Sequence, residues 1–189
     1  MAQKRKGWNG LISGFKASDL VFLDESGCNT DMTRRYAYSL GGSRAVDSAP
    51  LSKPKNTTIL SSIQLDGTLR YTTFSGGTTV ERFKRYLETD LLPHLNGNSV
   101  LIMDNMKSHH AKAVRNLLDS SGVRYIYLPP YSPDLNPIEK LWSKVKSFLR
   151  KFKARTLDAL PNAIQCAFQT VSPSDCSGWF HSCGYSTYF

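Results

Sequence analysis

The chain has 189 residues, of which 40% are hydrophobic and 21% charged, so its composition excludes a disordered or fibrous protein and predicts one domain with a sizeable core. Lys and Arg number 24 against 15 Asp and Glu, and the net charge of +9 makes nucleic acid the first candidate partner. No apolar run approaches the roughly 20 residues that span a bilayer, and the N-terminus lacks the apolar region of a secretory signal. We therefore expect a soluble intracellular protein with no membrane partner.

The first half of the chain predicts an antiparallel meander. Residues 20–24 form a short apolar run that ends in a carboxylate, which is typical of a strand buried on both faces. Residues 36–40 and 57–65 are rich in strand-forming side chains, and Asp66-Gly67 is a hairpin turn signal that leads into a return strand over 69–74. Between these strands, the Ser-, Pro- and Lys-rich residues 41–56 predict a long irregular loop.

The second half alternates helices and strands. A helical period begins at residue 78, where Thr78 and Glu81 have the spacing of a capping box, and it ends at Pro93. Residues 100–104 repeat the buried-strand pattern, a helical stripe over 113–118 is closed by Gly122, and 123–128 predicts another strand. The order of elements indicates an α/β fold whose mixed sheet is covered by helices.

Two aspartates stand at the ends of buried strands. Asp24 and Asp104 each close an apolar run, and ligands of open α/β sheets collect at the carboxyl ends of central strands. A single aspartate in this position is more often a turn or helix-cap residue. The two acids are therefore candidates to converge, with a local structural role as the alternative for each.

The third candidate acid, Glu139, lies at the start of a predicted helix. Asn136 is a preferred N-cap, Pro137 a preferred first helical residue, and Glu139 then has the position of a capping-box glutamate. The apolar stripe of this helix leaves Glu139, Lys146 and Arg150 together on one flank, which either faces DNA phosphates or is a solvated basic face. Three carboxylates suit two Mg²⁺ (or Mn²⁺) ions that catalyse phosphoryl transfer.

Four cysteines, Cys28, Cys166, Cys176 and Cys183, match neither a zinc pair nor a redox pair in their spacing, and reduced thiols are expected. Cys176 and Cys183 lie close in sequence to His181. One such group without a second cysteine pair is weak support for zinc, so no zinc site is predicted.

Three passages carry a family resemblance: residues 20–27, 101–109 and 128–142. With them, the chain resembles the bacterial insertion-sequence branch of the mariner-like superfamily of DDE transposases over essentially its whole length. The 34 residues between Asp104 and Glu139, 105 to 138, match the spacing of that superfamily. This match favours Glu139 as a catalytic residue over Glu139 as a simple cap.

The resemblance implies a ribonuclease H-like fold with a mixed five-stranded sheet flanked by helices. It implies a basic N-terminal segment at 1–19, a catalytic core at 20–151, and a C-terminal helix and tail packed on the core at 152–189. The implied reaction is metal-dependent hydrolysis of phosphodiester bonds at transposon ends, followed by strand transfer into target DNA, commonly at a TA dinucleotide. Asp24, Asp104 and Glu139 would bind the two metal ions, without a covalent enzyme intermediate.

Other matched positions are interpreted one by one. Strand alternation turns Glu25 away from Asp24, so Glu25 is expected to be structural or DNA-facing and not a metal ligand. His109 either positions DNA or a water molecule or packs locally, and Tyr131 either stacks on an unpaired base or packs on the sheet. Asn136 is expected to cap its helix and Trp142 to lie in the core.

The chain also departs from the family pattern. Only about 19 residues precede the first strand, where relatives carry a helix-turn-helix region, so specific recognition of transposon ends is not expected from this chain. A separate helix-turn-helix chain and a homodimer are possible partners, beside double-stranded DNA. The expected location is the cytoplasm of a bacterium, associated with the nucleoid. The alternatives are a host nuclease of the same fold and a catalytically idle remnant that binds DNA.

Overall fold

The protein is described by a computed structural model that covers residues 2–34, 36–50 and 54–185, with side chains from residue 7 onward. A five-stranded sheet in the order β3-β2-β1-β4-β5 forms its centre. The first strand is antiparallel to the second and parallel to the fourth, so the predicted mixed sheet is confirmed. The strands are β1 (Leu20–Cys28), β2 (Thr57–Ile63), β3 (Leu69–Ser75), β4 (Val100–Met103) and β5 (Arg124–Tyr127).

Helices cover both faces of the sheet. The α-helices are α1 (Ala2–Ile12), α2 (Val80–Tyr86), α3 (Lys112–Ser121), α4 (Ile138–Phe152), α5 (Ala159–Gln169) and α6 (Pro173–Ser182). A π-helical turn at Leu87–Leu91 and a 3-10 turn at Leu92–His94 continue α2. One face packs against α1, α4, α5 and α6, and the other against α2 and α3.

Strand β1 is central because both of its faces are apolar. Leu20 and Phe22 belong to the core on the side of α4, whereas Val21 and Leu23 belong to the core on the side of α2, and all four are buried. Successive side chains of a strand point to opposite faces, so a continuous apolar run requires cover on both. The predicted burial of this strand is confirmed. It determines the position of Asp24, the polar residue after Leu23.

The strand predicted at 36–40 is wrong. Tyr36, Tyr38 and Leu40 are almost fully exposed and have no ladder partner among the described residues. Strand-forming side chains stabilise a strand only where a neighbouring strand and a buried face exist. Here the chain runs outside the sheet, so these strand-forming side chains do not stabilise a strand.

The loop that follows β1, residues 29–56, is held by Arg155, which lies after the end of α4. The guanidinium of Arg155 donates hydrogen bonds to the carbonyls of Thr30, Met32 and Ser48, at 3.0 to 3.1 Å. These hydrogen bonds hold the loop in place, although its described part contains no helix or strand.

Two local predictions differ from the structure. The residue that caps α2 is Thr79, whose hydroxyl accepts from the backbone N–H of Arg82, and not Thr78. Beyond α4 the chain forms two helices where one was expected. Gly122, with φ of 70°, closes α3 as predicted. No helix in the described part of the chain has the length and apolar character needed to cross a membrane.

The hairpin turn between β2 and β3 sets a testable constraint. Gly67 has φ of +92°, and a Cβ added there would meet Pro173 at the start of α6 at 3.1 Å. We expect Gly67→Ala to reduce the free energy of unfolding by about 1–2 kcal/mol from the backbone conformation alone, and further through the contact with Pro173. Urea denaturation measures it, with Gly77→Ala as the control because that site is open. Equal stability of the two variants would contradict this role of the turn.

Candidate active site

The register between β1 and β4 brings two acids to the same edge of the sheet. Leu23 pairs with Met103 in the parallel ladder, so the next residues are Asp24 within β1 and Asp104 directly after β4. Both line a cavity of about 430 Å³ at this edge. Glu139, at the start of α4, lines the same cavity. The structure thus brings together the three acids that the sequence singled out.

Asp24 is buried and hydrogen-bonded to a side chain of α4. The residue is 8% exposed, and the indole Nε1–H of Trp142 donates to Oδ2 at 3.0 Å. Burial raises the pKa of Asp24 to about 7, and the charges of Glu139 and Asp104 add to the rise, while the Trp142 hydrogen bond opposes it. A nearby cation would reverse this balance in favour of the carboxylate.

Asp104 lies in a different environment. Its side chain is 45% exposed, and Oδ1 accepts hydrogen bonds from Nδ1 of His109 at 2.8 Å and from the backbone N–H of Met106 at 2.9 Å. Burial raises the pKa of Asp104, but these donors outweigh it and lower the pKa below its ordinary value. Asp104 is therefore ionised and held in one orientation.

His109 links the second acid to a fourth one. Its side chain is fully buried and stacks on Phe83 with ring centroids 4.2 Å apart. Its Nε2 lies 3.3 Å from Oε2 of Glu25, opposite the contact with Asp104. Burial lowers the pKa of His109, but the two carboxylates more than compensate and raise it to about 9, so the ring is a cation that donates from both nitrogens.

This burial corrects the sequence interpretation of His109 as a DNA contact. A fully buried ring presents no surface to DNA, so its contribution is to orient Asp104. Glu25 does point away from Asp24, and its partner is this histidine. Sequence reasoning missed the chain from Glu25 through His109 to Asp104, because its members are 84 residues apart at the far contact.

The start of α4 differs from the predicted cap. The helix begins at Ile138, and the Asn136 side chain makes no cap hydrogen bond; its Oδ1 is buried without a partner among the described residues. The backbone N–H of Asn136 is bonded instead to the carbonyl of Pro133. Glu139 is therefore not part of a capping box, and its exposed side chain faces the cavity.

Two further predictions have different outcomes. Tyr131 does not pack on the sheet: it is 86% exposed at the cavity, with φ of 55°. Lys146 and Arg150 are half-buried on the flank of α4. The thiol of Cys28, whose pKa burial raises to about 11, lies near enough to Lys146 for the cation to oppose that rise. Contact of Lys146 and Arg150 with DNA stays a prediction.

The donor set fits a hard divalent cation. Asp24, Asp104 and Glu139 supply only carboxylate oxygens, which Mg²⁺ prefers. Within residues 2–34, 36–50 and 54–185, no compact group of three His, Cys, Asp or Glu side chains closes around an ion, and this includes Cys176, His181 and Cys183. An open set of carboxylates is what Mg²⁺ uses when waters and substrate phosphates complete its coordination.

Comparison with known proteins identifies the family. The family described as "DDE superfamily endonuclease" matches residues 19–161. The chain belongs to this family. The match includes all three acids of the cavity, and it ends before the second half of α5.

The DDE chain resembles two transposases. It is 29% identical over 97 residues to the transposable element Tc1 transposase of Caenorhabditis elegans, a match that covers 49% of this chain and 36% of that protein. Its structure resembles the Mos1 mariner paired-end complex with Mn, with a TM-score of 0.80, 20% identity, and coverage of 96% of this chain and 57% of that one.

The isolated catalytic domain of Mos1 gives a TM-score of 0.73 at 17% identity, over 96% of this chain and 86% of that one. These similarities confirm the ribonuclease H-like fold. The chain spans about a third of the length of the Tc1 transposase and a little over half of the Mos1 chain in its DNA complex.

The buried acid predicts a pH-dependent stability. Because the pKa of Asp24 rises from 3.8 to about 7 on folding, its protonated form favours the folded state, and this stability is lost as the pH rises from about 4 through 7. Relative to Asp24→Asn, the metal-free wild type should lose roughly 2 to 3 kcal/mol between pH 5 and pH 8. Urea denaturation at the two pH values measures the difference.

The control is Asp158→Asn, because Asp158 is an exposed aspartate at the start of α5. The stability of this variant should change with pH as that of the wild type does. Added Mg²⁺ at pH 8 should raise the Tm of the wild type and of Asp158→Asn more than that of Asp24→Asn. If the free energy of unfolding falls equally with pH in Asp24→Asn and in the wild type, burial of the ionised Asp24 carboxylate does not cause the loss.

The Glu25–His109 contact predicts a coupling energy. His109→Gln leaves a mostly buried carboxylate without its cationic partner, and we expect a loss of about 3–5 kcal/mol in the free energy of unfolding. Glu25→Gln combined with His109→Gln should be more stable than the sum of the single changes predicts. A double-mutant cycle by urea denaturation measures this coupling, and additive effects would show that the contact contributes nothing.

Proposed function

We propose that this chain is the catalytic domain of a DNA transposase, which hydrolyses phosphodiester bonds at transposon ends and transfers the freed 3′ ends into target DNA. The observation that carries the proposal is the convergence of Asp24, Asp104 and Glu139 on one cavity in a DDE endonuclease. The names of its relatives support it, because Tc1 is a transposase and Mos1 was crystallised as a pre-cleavage transpososome and as a strand transfer complex.

Two divalent ions, Mg²⁺ or Mn²⁺, held by the three carboxylates, would supply Lewis-acid activation of the attacking oxygen and stabilisation of the leaving one. Mos1 structures with Mn and with Mg support the choice of ions. The chain itself holds the ligands: Trp142 fixes Asp24, and cationic His109 fixes Asp104. Glu139 is exposed, so its side chain can adjust when DNA arrives.

The chemistry balances without a covalent enzyme intermediate. In hydrolysis, a water oxygen forms a bond to phosphorus while the bond to the 3′ oxygen breaks, which leaves a 3′ hydroxyl and a 5′ phosphate. In strand transfer, the 3′ hydroxyl oxygen takes the place of water, and a 3′ hydroxyl of the target strand leaves. Each step exchanges one P–O bond for another: hydrolysis converts a phosphodiester into a phosphate monoester, and strand transfer forms one phosphodiester for the one it breaks, with only protons exchanged with solvent.

The partners form part of the proposal. The net charge of +9 suits double-stranded DNA, and Lys146 and Arg150 beside Glu139 are the proposed phosphate contacts. A homodimer is supported by the paired-end complexes of Mos1, and a helix-turn-helix chain is proposed as a further partner. An origin in a bacterial insertion sequence and a cytoplasmic, nucleoid-associated location rest on the sequence resemblance.

The experiment is a cleavage and joining assay. The protein is incubated with supercoiled plasmid and with duplexes that carry transposon ends, in Mg²⁺ or Mn²⁺, beside Asp104→Asn and the control Asp158→Asn. We expect metal-dependent cutting and joining of 3′ ends by wild type and control. Asp104→Asn should lose at least about a hundredfold in rate, because even partners behind metal ligands contribute 10- to 100-fold.

Three results separate the alternatives. Equal nicking by wild type and Asp104→Asn would show that the assigned site is wrong. Cutting without joining of 3′ ends would favour a host nuclease of the same fold. Salt-sensitive DNA binding without any cutting would favour an idle remnant.

A further inference from the structure

The hydrogen bond between Trp142 and Asp24 joins the helix α4 to the strand β1 at the cavity. The indole Nε1–H donates to Oδ2 of Asp24 at 3.0 Å, between side chains that are 4% and 8% exposed. A charged acceptor makes such a bond stronger than a bond between neutral groups. It fixes one oxygen of the carboxylate and therefore limits rotation of the carboxylate plane.

The indole ring is itself held from behind. The edge of Phe168 on α5 packs against Trp142 with centroids 6.5 Å apart, and Phe168 stacks on Tyr71 of β3 at 4.0 Å. Aromatic pairs of this kind restrict ring orientation as well as burying area. The donor therefore reaches Asp24 from a supported position, and α5 lies behind that support.

Packing alone does not account for the choice of acceptor. A buried indole N–H needs an acceptor, and a backbone carbonyl or a hydroxyl would satisfy it without burying a charge. Here the acceptor is the carboxyl of Asp24, a residue that is 8% exposed, and burying a carboxylate costs more than burying a neutral acceptor. This cost is consistent with a hydrogen bond that orients Asp24.

Trp142 also connects two of the three acids. Glu139 precedes it by three residues on α4, so the two side chains lie on neighbouring positions of one helix face. Glu139 and Asp24 also line the same cavity. A single helix thus carries Glu139 and also holds Asp24 in place.

We propose that Trp142 is a positioning residue: its indole N–H fixes the orientation of Asp24 and ties it to the helix that carries Glu139, so that the two acids are arranged before the metal binds. This inference rests on the proposed function, because it assigns metal binding to the same acids. Its tests use the metal alone, so they do not depend on DNA cleavage.

The first test follows the indole N–H groups by NMR in the full chain labelled with ¹⁵N-tryptophan. The sequence has three tryptophans, which are assigned through Trp142→Phe and Trp179→Phe. On titration with Mg²⁺, the Trp142 resonance should shift, whereas Trp8, bonded to the hydroxyl of Tyr185, and half-buried Trp179 should not. Asp24→Asn should abolish the shift. A Trp142 resonance that stays in place while Mg²⁺ raises the Tm would overturn the proposal.

The second test measures Mg²⁺ affinity by calorimetry without DNA. Trp142→Phe keeps an aromatic ring and removes the donor, and the Mg²⁺ dissociation constant should rise by about 10- to 100-fold, while Trp179→Phe stays at the wild-type value. In a cleavage assay, Trp142→Phe should need more Mg²⁺ for half-maximal rate and should recover most of its rate at saturation. A variant that keeps wild-type Mg²⁺ affinity shows that Trp142 serves packing alone.

The two proposals fail in different ways. If the wild type cuts no DNA but Mg²⁺ shifts the Trp142 resonance and binds more weakly to Trp142→Phe, the positioning role stands and the transposase proposal fails. If the wild type cuts and joins DNA while Trp142→Phe responds to Mg²⁺ as the wild type does, the positioning role alone is wrong.

Discussion

The parallel pairing of β1 with β4 is the contact on which the rest of the site depends. It places Leu23 beside Met103, and the chain direction then delivers Asp24 and Asp104 at the same edge of the sheet. Both strands are completely buried up to that point, and a shift of one residue would turn every side chain, including the acid, to the opposite face of the sheet. Burial of apolar surface therefore fixes the spacing of two polar groups.

The acids that emerge at this edge have unequal environments. Asp24 is buried and its pKa is raised, whereas Asp104 is held ionised by a cationic histidine. Glu139 stays exposed at the start of α4. The site thus combines two acids held by side chains of other elements with one that is exposed.

The region beyond the family match supports the site from behind. The matched residues end at 161, yet Phe168 packs against Trp142, and α5 and α6 cover the same face of the sheet as α4. The support for Asp24 therefore extends into helices that carry none of the three acids. Phe168 contacts Trp142, and Trp142 donates the hydrogen bond to Asp24 at the cavity.

The sequence by itself determined the apolar runs of β1 and β4, the aspartates that follow these runs and the family motif around Glu139, because apolar periodicity and motif spacing are local properties of the chain. It gave the wrong structure at 36–40, where no neighbouring strand exists, and at Asn136, where the carbonyl of Pro133 takes the backbone N–H that a capping box would use. Only the tertiary structure decided that Trp142 bonds to Asp24 and that His109 joins Asp104 to Glu25. These contacts join residues far apart in the chain, and their geometry follows from how the helices pack on the sheet, which no local pattern records.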